Sequence, residues 1–233
     1  SVASRGLGDV YKRQVFGRRL VEQPLMANVL ADLAVESEAA TALALHVAAA
    51  VDAAADDPQA AAFARIATAI GKYWLCRRAP ALVNEAQECL GGGGYVEESI
   101  LPRLYRQAPL NSIWEGSGNI QCLDVLRALV REPAAAQALR TVLEQAAQRH
   151  PLLAREAERL QRQLAAVDTL EPLARQLVER VALLLQGSIL QAAGSPLAEA
   201  FLRSRLGGEH GLAMGTLPAD LDFAAILVRA LPR

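Results

Sequence analysis

The sequence predicts an all-α protein, and three observations support that prediction. Hydrophobic residues make up 52% of the 233 residues, aromatic residues only 4%, and the stretches between prolines are rich in alanine, leucine and arginine, which favour helices. Apolar residues recur at spacings of three and four, the period of an amphipathic helix. No stretch shows the alternation that is typical of a strand. We therefore expect a helical bundle and a smaller helical extension, without strands.

The first long helix is expected over residues 24–55, because Pro24 suits a first helical turn and Asp57-Pro58 caps the next helix. A second helix should begin at Pro58 and run to about residue 78, after which Pro80 should kink or break it before a further turn over 82–90. Small and apolar residues at alternating spacings of four and three predict the buried seam of the first helix: Met26, Leu30, Leu33, Ser37, Ala40, Ala44, Val47 and Val51.

Shorter helices follow in the rest of the chain. One is expected over 98–106, an irregular segment from Pro109, and another helix over 119–131. Glu132-Pro133 marks a boundary, beyond which helices are expected at 134–149, 151–167, 171–193, 196–206 and 221–231. The chain thus divides into a non-native or disordered tail (1–12), a bundle (13–132) and a helical extension (133–233). Because Ser1 stands in place of an initiator methionine, we expect a fragment of a longer protein.

The overall charge and the cysteines argue against several classes of function. The net charge is −1 at pH 7 and the isoelectric point about 6.3, which disfavours a nucleic-acid or membrane role that rests on charge. Three widely spaced cysteines without a CxxC pair indicate a reducing compartment, so we expect a cytoplasmic protein. No metal is expected, because the three histidines lack ligand spacing. No membrane partner is expected either, because charged residues or histidines interrupt every long apolar run.

Two segments of the bundle indicate an active site. Four consecutive glycines at 91–94 would each cost a helix about 1 kcal/mol relative to alanine, whereas a glycine backbone can approach a ligand closely. Further along, Trp114-Glu115-Gly116 places an acid on a tight turn beside an aromatic ring. Removal from water would make that carboxylate a stronger base, so we expect Glu115 in a dry niche with the glycines nearby. The alternative is an acid that complements the dipole of the next helix.

Five local motifs in a fixed order resemble a known family. Residues 16–131 resemble the C-terminal four-helix domain of flavin-dependent acyl-CoA dehydrogenases, and the chain as a whole most resembles their adaptive-response branch. Beyond residue 133, only the branch-level resemblance continues, in Gly215-Thr216-Leu217-Pro218. The five motifs are Arg13-Gln14-Val15-Phe16-Gly17, Ala86-Gln87-Glu88-Cys89-Leu90-Gly91-Gly92, Arg103-Leu104-Tyr105-Arg106, Ile113-Trp114-Glu115-Gly116-Ser117 and Asn119-Ile120-Gln121.

The resemblance implies an FAD-dependent α,β-dehydrogenation of an acyl-CoA thioester. Glu115 would be the catalytic base that removes the α-proton, and Trp114 and Gly116 would contact the substrate. The chain alone is expected to be inactive, because the family's other domains supply most of the cradle for flavin and thioester. The resemblance also implies a homo-oligomer, a dimer or tetramer.

The resemblance further assigns residues to FAD. Arg13 would bind the pyrophosphate of an adjacent subunit's flavin, and an arginine fork suits that group. Phe16 would contact the flavin or merely staple the first helix. Glu88 would lie at the adenosine, where many members carry Gln, and Gly91 and Gly92 would lie beside a neighbouring subunit's flavin. Ser117 and Asn119 would also bind the flavin, at positions where many members carry Thr and Gln. Helix capping is the alternative role for these two residues.

Two other functions are kept as alternatives. The adaptive-response branch is associated with binding and protecting duplex DNA, with vestigial dehydrogenase activity. Arg155, Arg159 and Arg162 at helical spacing could reach phosphates, although Glu156 and Glu158 beside them would also fit a solvated face. The remaining alternative is a helical interaction module without a ligand.

Overall fold

The computed structural model describes residues 12–230, and helices dominate that part of the chain. The predicted all-α class is therefore confirmed. Most of the predicted tail, residues 1–12, lies outside the described residues. The α-helices are α1 (Pro24–Ala53), α2 (Pro58–Cys89), α3 (Gly92–Tyr95), α4 (Leu101–Asn111), α5 (Gly118–Arg131), α6 (Pro133–Ala147), α7 (Pro151–Leu164), α8 (Ala174–Ala192), α9 (Ala198–Phe201) and α10 (Phe223–Ala230), with 3-10 turns at Leu20–Glu22, Val167–Thr169 and Glu171–Leu173 and a π turn at Leu202–Leu206.

Two long helices, α1 and α2, pack against each other at the centre of the bundle. Pro24 and Pro58 occupy their first turns, and the Asp57 side chain accepts a 2.8 Å hydrogen bond from the backbone N–H of Gln59, as predicted for a cap. Of the kink or break predicted at Pro80, the break is wrong, because α2 is one helix from Pro58 to Cys89. A proline removes one backbone hydrogen bond, and packing of α2 against its neighbours outweighs that local loss.

The buried face of α1 differs from the predicted seam. Its fully buried apolar residues are Ala31, Val35, Ala39 and Leu43, spaced by four. The predicted positions Ser37, Ala44 and Val51 are instead exposed. The shift arises because two carboxylates, Asp32 and Glu36, also lie on the buried face, and a search for apolar residues alone places the seam elsewhere.

The prediction of no strands is wrong for one short hairpin. Strands β1 (Gln14–Val15) and β2 (Arg18–Arg19) pair antiparallel, and Phe16 and Gly17 form the turn with φ of 52° and 75°. Two positive φ angles in a two-residue turn are the hairpin geometry that matches strand twist. Strands of two residues are too short to show an alternating pattern.

Helix α4 also departs from its prediction. It occupies Leu101–Asn111 instead of 98–106, and Pro109 lies within its last turn instead of beginning an irregular segment. Pro102 stands at its start, where a proline is tolerated because the missing N–H has no helical partner. Towards the C-terminus, the helix predicted over 196–206 is divided into α9 and the π turn.

The C-terminal extension and the bundle share one hydrophobic core. That core extends from Ala31 in α1 to Ile226 in α10 and includes the helices between them. Helix α8 is buried on every side from Val181 to Ser188, and it contacts α1, α2 and α5 of the bundle. The domain boundary placed at residue 132 stays a prediction.

Paired charges fasten the extension to α1. Asp32 is fully buried. It accepts a hydrogen bond of 2.5 Å from Arg205 and one of 2.8 Å from the backbone N–H of Gly215, and it lies 2.8 Å from Nε2 of His210. Burial by itself would raise the pKa of Asp32, but the bonds to His210 and Arg205 outweigh it and hold the pKa at about 2. Asn28 adds two 3.0 Å bonds to the backbone of Leu217.

A second carboxylate of α1 extends this network to α2. Glu36 accepts hydrogen bonds of 2.8 Å and 3.2 Å from Arg78 and of 3.0 Å from Arg205.

By length and composition, α1 is the one helix among the described residues that could cross a membrane. Its buried Asp32 and Glu36 are nevertheless paired with cations from elsewhere in the fold, as in the core helix of a folded bundle.

Candidate functional site

The predicted acid lies on a strained turn between α4 and α5. We call residues Trp114, Glu115 and Gly116 the acid turn. Glu115 has a φ of 50° and Gly116 a φ of 102°. A non-glycine residue in the left-handed region costs on the order of 1–2 kcal/mol, so surrounding contacts must hold Glu115 there.

Two side chains from different helices bind the backbone of the acid turn. The Nζ of Lys72, on α2, donates hydrogen bonds of 2.9 Å to the carbonyl of Trp114 and 2.6 Å to that of Gly116. Nε2 of Gln121, on α5, donates at 3.1 Å to the carbonyl of Glu115. The sequence reasoning gave neither residue a role. A signal for Lys72 was available, because it is one of only two lysines in a chain rich in arginine.

The expectation that Glu115 lies in a dry niche is wrong for the described part of the chain, because the residue is exposed. The side chains around it are exposed as well: Ile113 is 63% exposed, Trp114 55% and Ile120 56%. Local sequence could suggest an aromatic neighbour for the acid, but it could not show that the ring turns outward too. These residues form an apolar exposed surface around one carboxylate.

Helix α5 begins directly after the acid turn. Ser117 is its N-cap residue, yet its hydroxyl makes no capping hydrogen bond, and both Ser117 and Asn119 are exposed. Gly118 lies in a tight space, because a Cβ there would lie 3.0 Å from Nη2 of Arg175 and 3.3 Å from the ring of Tyr73. The hydroxyl of Ser117 and the amide of Asn119 thus remain available beside Glu115.

The fold explains only two of the four consecutive glycines. We call residues 91–95 the glycine loop. Gly91 has a φ of 58°, and a Cβ on the buried Gly94 would lie 2.2 Å from the carbonyl oxygen of Gln87. Gly92 and Gly93 are exposed, have no atom within 4 Å of a Cβ, and adopt ordinary φ values. The fold does not require glycine at these two positions, which leaves the close approach of another molecule as a reason for them.

The N-terminal hairpin lies beside the glycine loop. Nη1 of Arg13 is 3.8 Å from the position that a Cβ on Gly91 would occupy. Phe16, at the tip of the same hairpin, is 96% exposed. A small cluster that includes Leu20 and Leu90 packs the base of the hairpin against the start of the loop. The structure therefore brings together Arg13, Gly91 and Gly92, and places Phe16 on the same hairpin and the exposed Glu88 at the end of α2.

The acid turn and the glycine loop lie far apart along α2. Lys72 binds the acid turn, whereas Cys89 ends α2 just before the loop. These two residues are separated by about 25 Å at 1.5 Å per residue. Within one chain, the glycines therefore do not lie near Glu115. The sequence could not reveal this, because it does not show that α2 continues unbroken through Pro80.

Two of the three arginines of α7 have partners within the described residues. Arg155 donates a 2.7 Å bond to the carbonyl of Leu206, and Arg162 lies 3.7 Å from Glu158. Glu156 is buried and paired with Arg180, so the expectation that Glu156 lies on a solvated face is wrong. DNA binding by this helix stays a prediction. Among residues 12–230, no group of three His, Cys, Asp or Glu residues is placed to hold a metal.

Residues 6–130 match the family model of the acyl-CoA dehydrogenase C-terminal domain, which is more than half of the chain. The chain belongs to the acyl-CoA dehydrogenase family. AidB of Escherichia coli (strain K12) is 41% identical over 210 residues, which cover 90% of this chain and 38% of AidB. Acyl-CoA dehydrogenase family member 11 of Caenorhabditis elegans is 35% identical over 119 residues, 50% of this chain and 19% of that protein. The chain thus spans less than two thirds of these relatives.

Solved structures extend the likeness beyond the family match. The structure of Caenorhabditis elegans ACDH-11 in complex with C11-CoA superposes with a TM-score of 0.74 at 25% identity, covering 87% of this chain and 39% of that one. The Bd2924 apo-form gives a TM-score of 0.73 at 27% identity, covering 83% of this chain and 38% of that one. The match to AidB confirms the predicted resemblance to the adaptive-response, or AidB-type, branch.

Proposed function

We propose that this chain is the C-terminal helical part of an FAD-dependent acyl-CoA dehydrogenase, with Glu115 as its base. The observation that carries the proposal is the acid turn, which two side chains from different helices hold with its carboxylate exposed. The family match includes that turn. A carboxylate fixed at the edge of an apolar surface has the chemistry to take a proton from a weakly acidic carbon.

The residues at the glycine loop fit FAD. The guanidinium of Arg13 beside Gly91 can bind a pyrophosphate through paired hydrogen bonds. The open backbone at Gly92 and Gly93 would let a planar ring or phosphate approach closely. Phe16 presents an exposed aromatic face on the same hairpin as Arg13.

The reaction divides between the cofactor and the residues of this chain. Bound FAD supplies the acceptor for the hydride that leaves the β-carbon of the acyl-CoA. A carboxylate oxygen of Glu115 takes the α-proton as the α C–H bond breaks, and the released electron pair forms the bond between the α- and β-carbons. Trp114 and Gly116 line the position of the thioester. Because Glu115 is exposed here, the isolated chain should show no turnover.

The distance along α2 between Lys72, which binds the acid turn, and the glycine loop supports assembly from more than one copy. A complete site would combine the acid turn of one subunit with Arg13, Gly91 and Gly92 of another. Helix α1 also carries exposed apolar residues, among them Leu45 at 65% and Val51 at 53%. A homodimer or homotetramer would bring the two parts of the site together and would cover these apolar residues.

The test is a chimera in which this chain replaces the 210 matched residues of AidB. With a series of acyl-CoA thioesters of different chain lengths, we expect the chimera to bleach its flavin with at least one of them and Glu115→Gln to lower that rate at least about a hundredfold, the usual contribution of a general base. Glu98→Gln is the matched control, since Glu98 is an exposed acid outside the acid turn. No bleaching by the unsubstituted chimera, or an unchanged rate in Glu115→Gln, would contradict the proposal.

A further inference from the structure

The acid turn depends on side chains for its conformation. On its entry side, the backbone N–H of Trp114 bonds to the carbonyl of Leu110 at 3.2 Å, and α5 begins where the N–H of Gln121 bonds to Ser117 at 3.0 Å. Between these points, the carbonyls of Trp114, Glu115 and Gly116 point towards Lys72 and Gln121. Three consecutive carbonyls thus meet one ammonium and one amide, contributed by α2 and α5.

Lys72 is the stronger of the two partners. Its ammonium bonds to the carbonyls on both sides of Glu115, and hydrogen bonds from a charged donor are about twice as strong as neutral ones. The side chain of Lys72 is partly buried and is based on a long helix, so its position is fixed by the bundle core. Lys72 therefore connects the strained backbone at Glu115 to the rigid centre of the fold.

Gln121 completes the arrangement and explains Gly116. A Cβ at Gly116 would lie 2.5 Å from Nε2 of Gln121, so the amide occupies the space that a side chain would need. The same amide donates to the carbonyl of Glu115 at 3.1 Å and is 3.4 Å from that of Gly116. Glycine at position 116 serves both its φ of 102° and the approach of this amide.

We propose that Lys72 and Gln121 are positioning residues that fix the direction of the Glu115 carboxylate. The catalytic consequence of this proposal rests on the proposed function, whereas the structural claim concerns this chain alone. Neither side chain needs to touch an acyl-CoA for this role. Loss of either should loosen the turn and leave the helices around it intact.

Amide hydrogen exchange of the purified chain, measured by mass spectrometry, tests the structural claim. In Lys72→Met, the hydrogen-bonded amides of Ile113, Trp114 and Gln121, which flank the acid turn, should exchange about tenfold faster or more as the turn loosens. Arg77→Met is the matched control, because Arg77 is an exposed cation further along α2 with no bond to the turn. Unchanged exchange in Lys72→Met would overturn the proposal, as would an equal increase in both variants.

Two further variants keep the claim testable if Lys72→Met does not fold. Gln121→Leu removes only the amide bonds and should raise exchange of the same amides, whereas Lys72→Arg keeps a cationic donor and should restore part of the protection. In the AidB chimera, Lys72→Met should lower the bleaching rate at saturating acyl-CoA with little change in the half-saturating concentration. Faster exchange with an undiminished bleaching rate would uphold the positioning claim and count against Glu115 as the base. If Lys72→Met does not fold, unaltered exchange in Gln121→Leu would overturn the positioning claim.

Discussion

At the scale of single residues, chemical identity alone did not decide what each glycine does. Gly91 and Gly94 are required by a positive φ and by contact with the backbone of Gln87, respectively. Gly92 and Gly93 have the same sequence signature but open surroundings. The difference between a structural glycine and one that is free for a ligand arises from neighbours that only the folded chain supplies.

Gly94→Ala should destabilise the protein by about 2–4 kcal/mol, because the new Cβ would overlap the carbonyl of Gln87 in a buried position. Urea denaturation followed by circular dichroism measures this loss. Gly92→Ala is the matched control on the same helical turn and should change the stability by no more than about 0.5 kcal/mol. Equal losses in the two variants would contradict this account of the glycine loop.

At the scale of secondary structure elements, the helices begin where local signals place them, but their faces are set by distant partners. Proline stands in the first turn of α1, α2, α6 and α7. The buried face of α1 was predicted incorrectly because Asp32 and Glu36 belong to it. Both carboxylates are stable there because Arg205, far along the chain, pairs with them.

Asp32→Asn should destabilise the chain by about 2–3 kcal/mol at pH 7, because it removes the carboxylate that Arg205 and His210 share and leaves Arg205 with Glu36 alone. Since the pKa of Asp32 is lowered to about 2 in the folded state, its contribution is complete above the ordinary pKa of 3.8 and declines as the pH falls towards 2. Urea denaturation at several pH values should therefore show the two proteins converging between pH 4 and pH 2.

Asp52→Asn provides the control for this comparison. Asp52 lies at the exposed end of the same helix, and the substitution should leave stability at pH 7 nearly unchanged. A difference between Asp32→Asn and the parent protein that stayed constant down to pH 2 would contradict the assignment of the acid-sensitive contribution to Asp32.

At the scale of the whole molecule, the extension completes the core that the bundle begins. Helix α8 is buried from Val181 to Ser188 and contacts helices of the bundle as well as helices of the extension. The family match ends at residue 130, yet the structural likeness to ACDH-11 covers 87% of the chain. A family boundary in sequence is therefore no guide to which helices share a core.

Removal of residues 133–233 should abolish cooperative folding of the remaining bundle. The truncation would expose apolar side chains of α1, α2 and α5 that now pack on α8, so we expect aggregation or a broad thermal transition. Circular dichroism melting and size-exclusion chromatography measure both. A sharp, reversible transition near that of the full chain would show that the bundle folds independently.

The sequence by itself determined the helical class, the starts of the main helices and the family, because each depends on local composition or on motifs a few residues long. It also selected Glu115 and the glycine loop. Only the tertiary structure decided that Glu115 is exposed, that Lys72 and Gln121 bind its turn, and that the glycine loop lies about 25 Å further along α2 than Lys72. The physical reason is that burial, distance and hydrogen bonding depend on elements that are remote in the chain, and a single sequence does not specify which of them will meet.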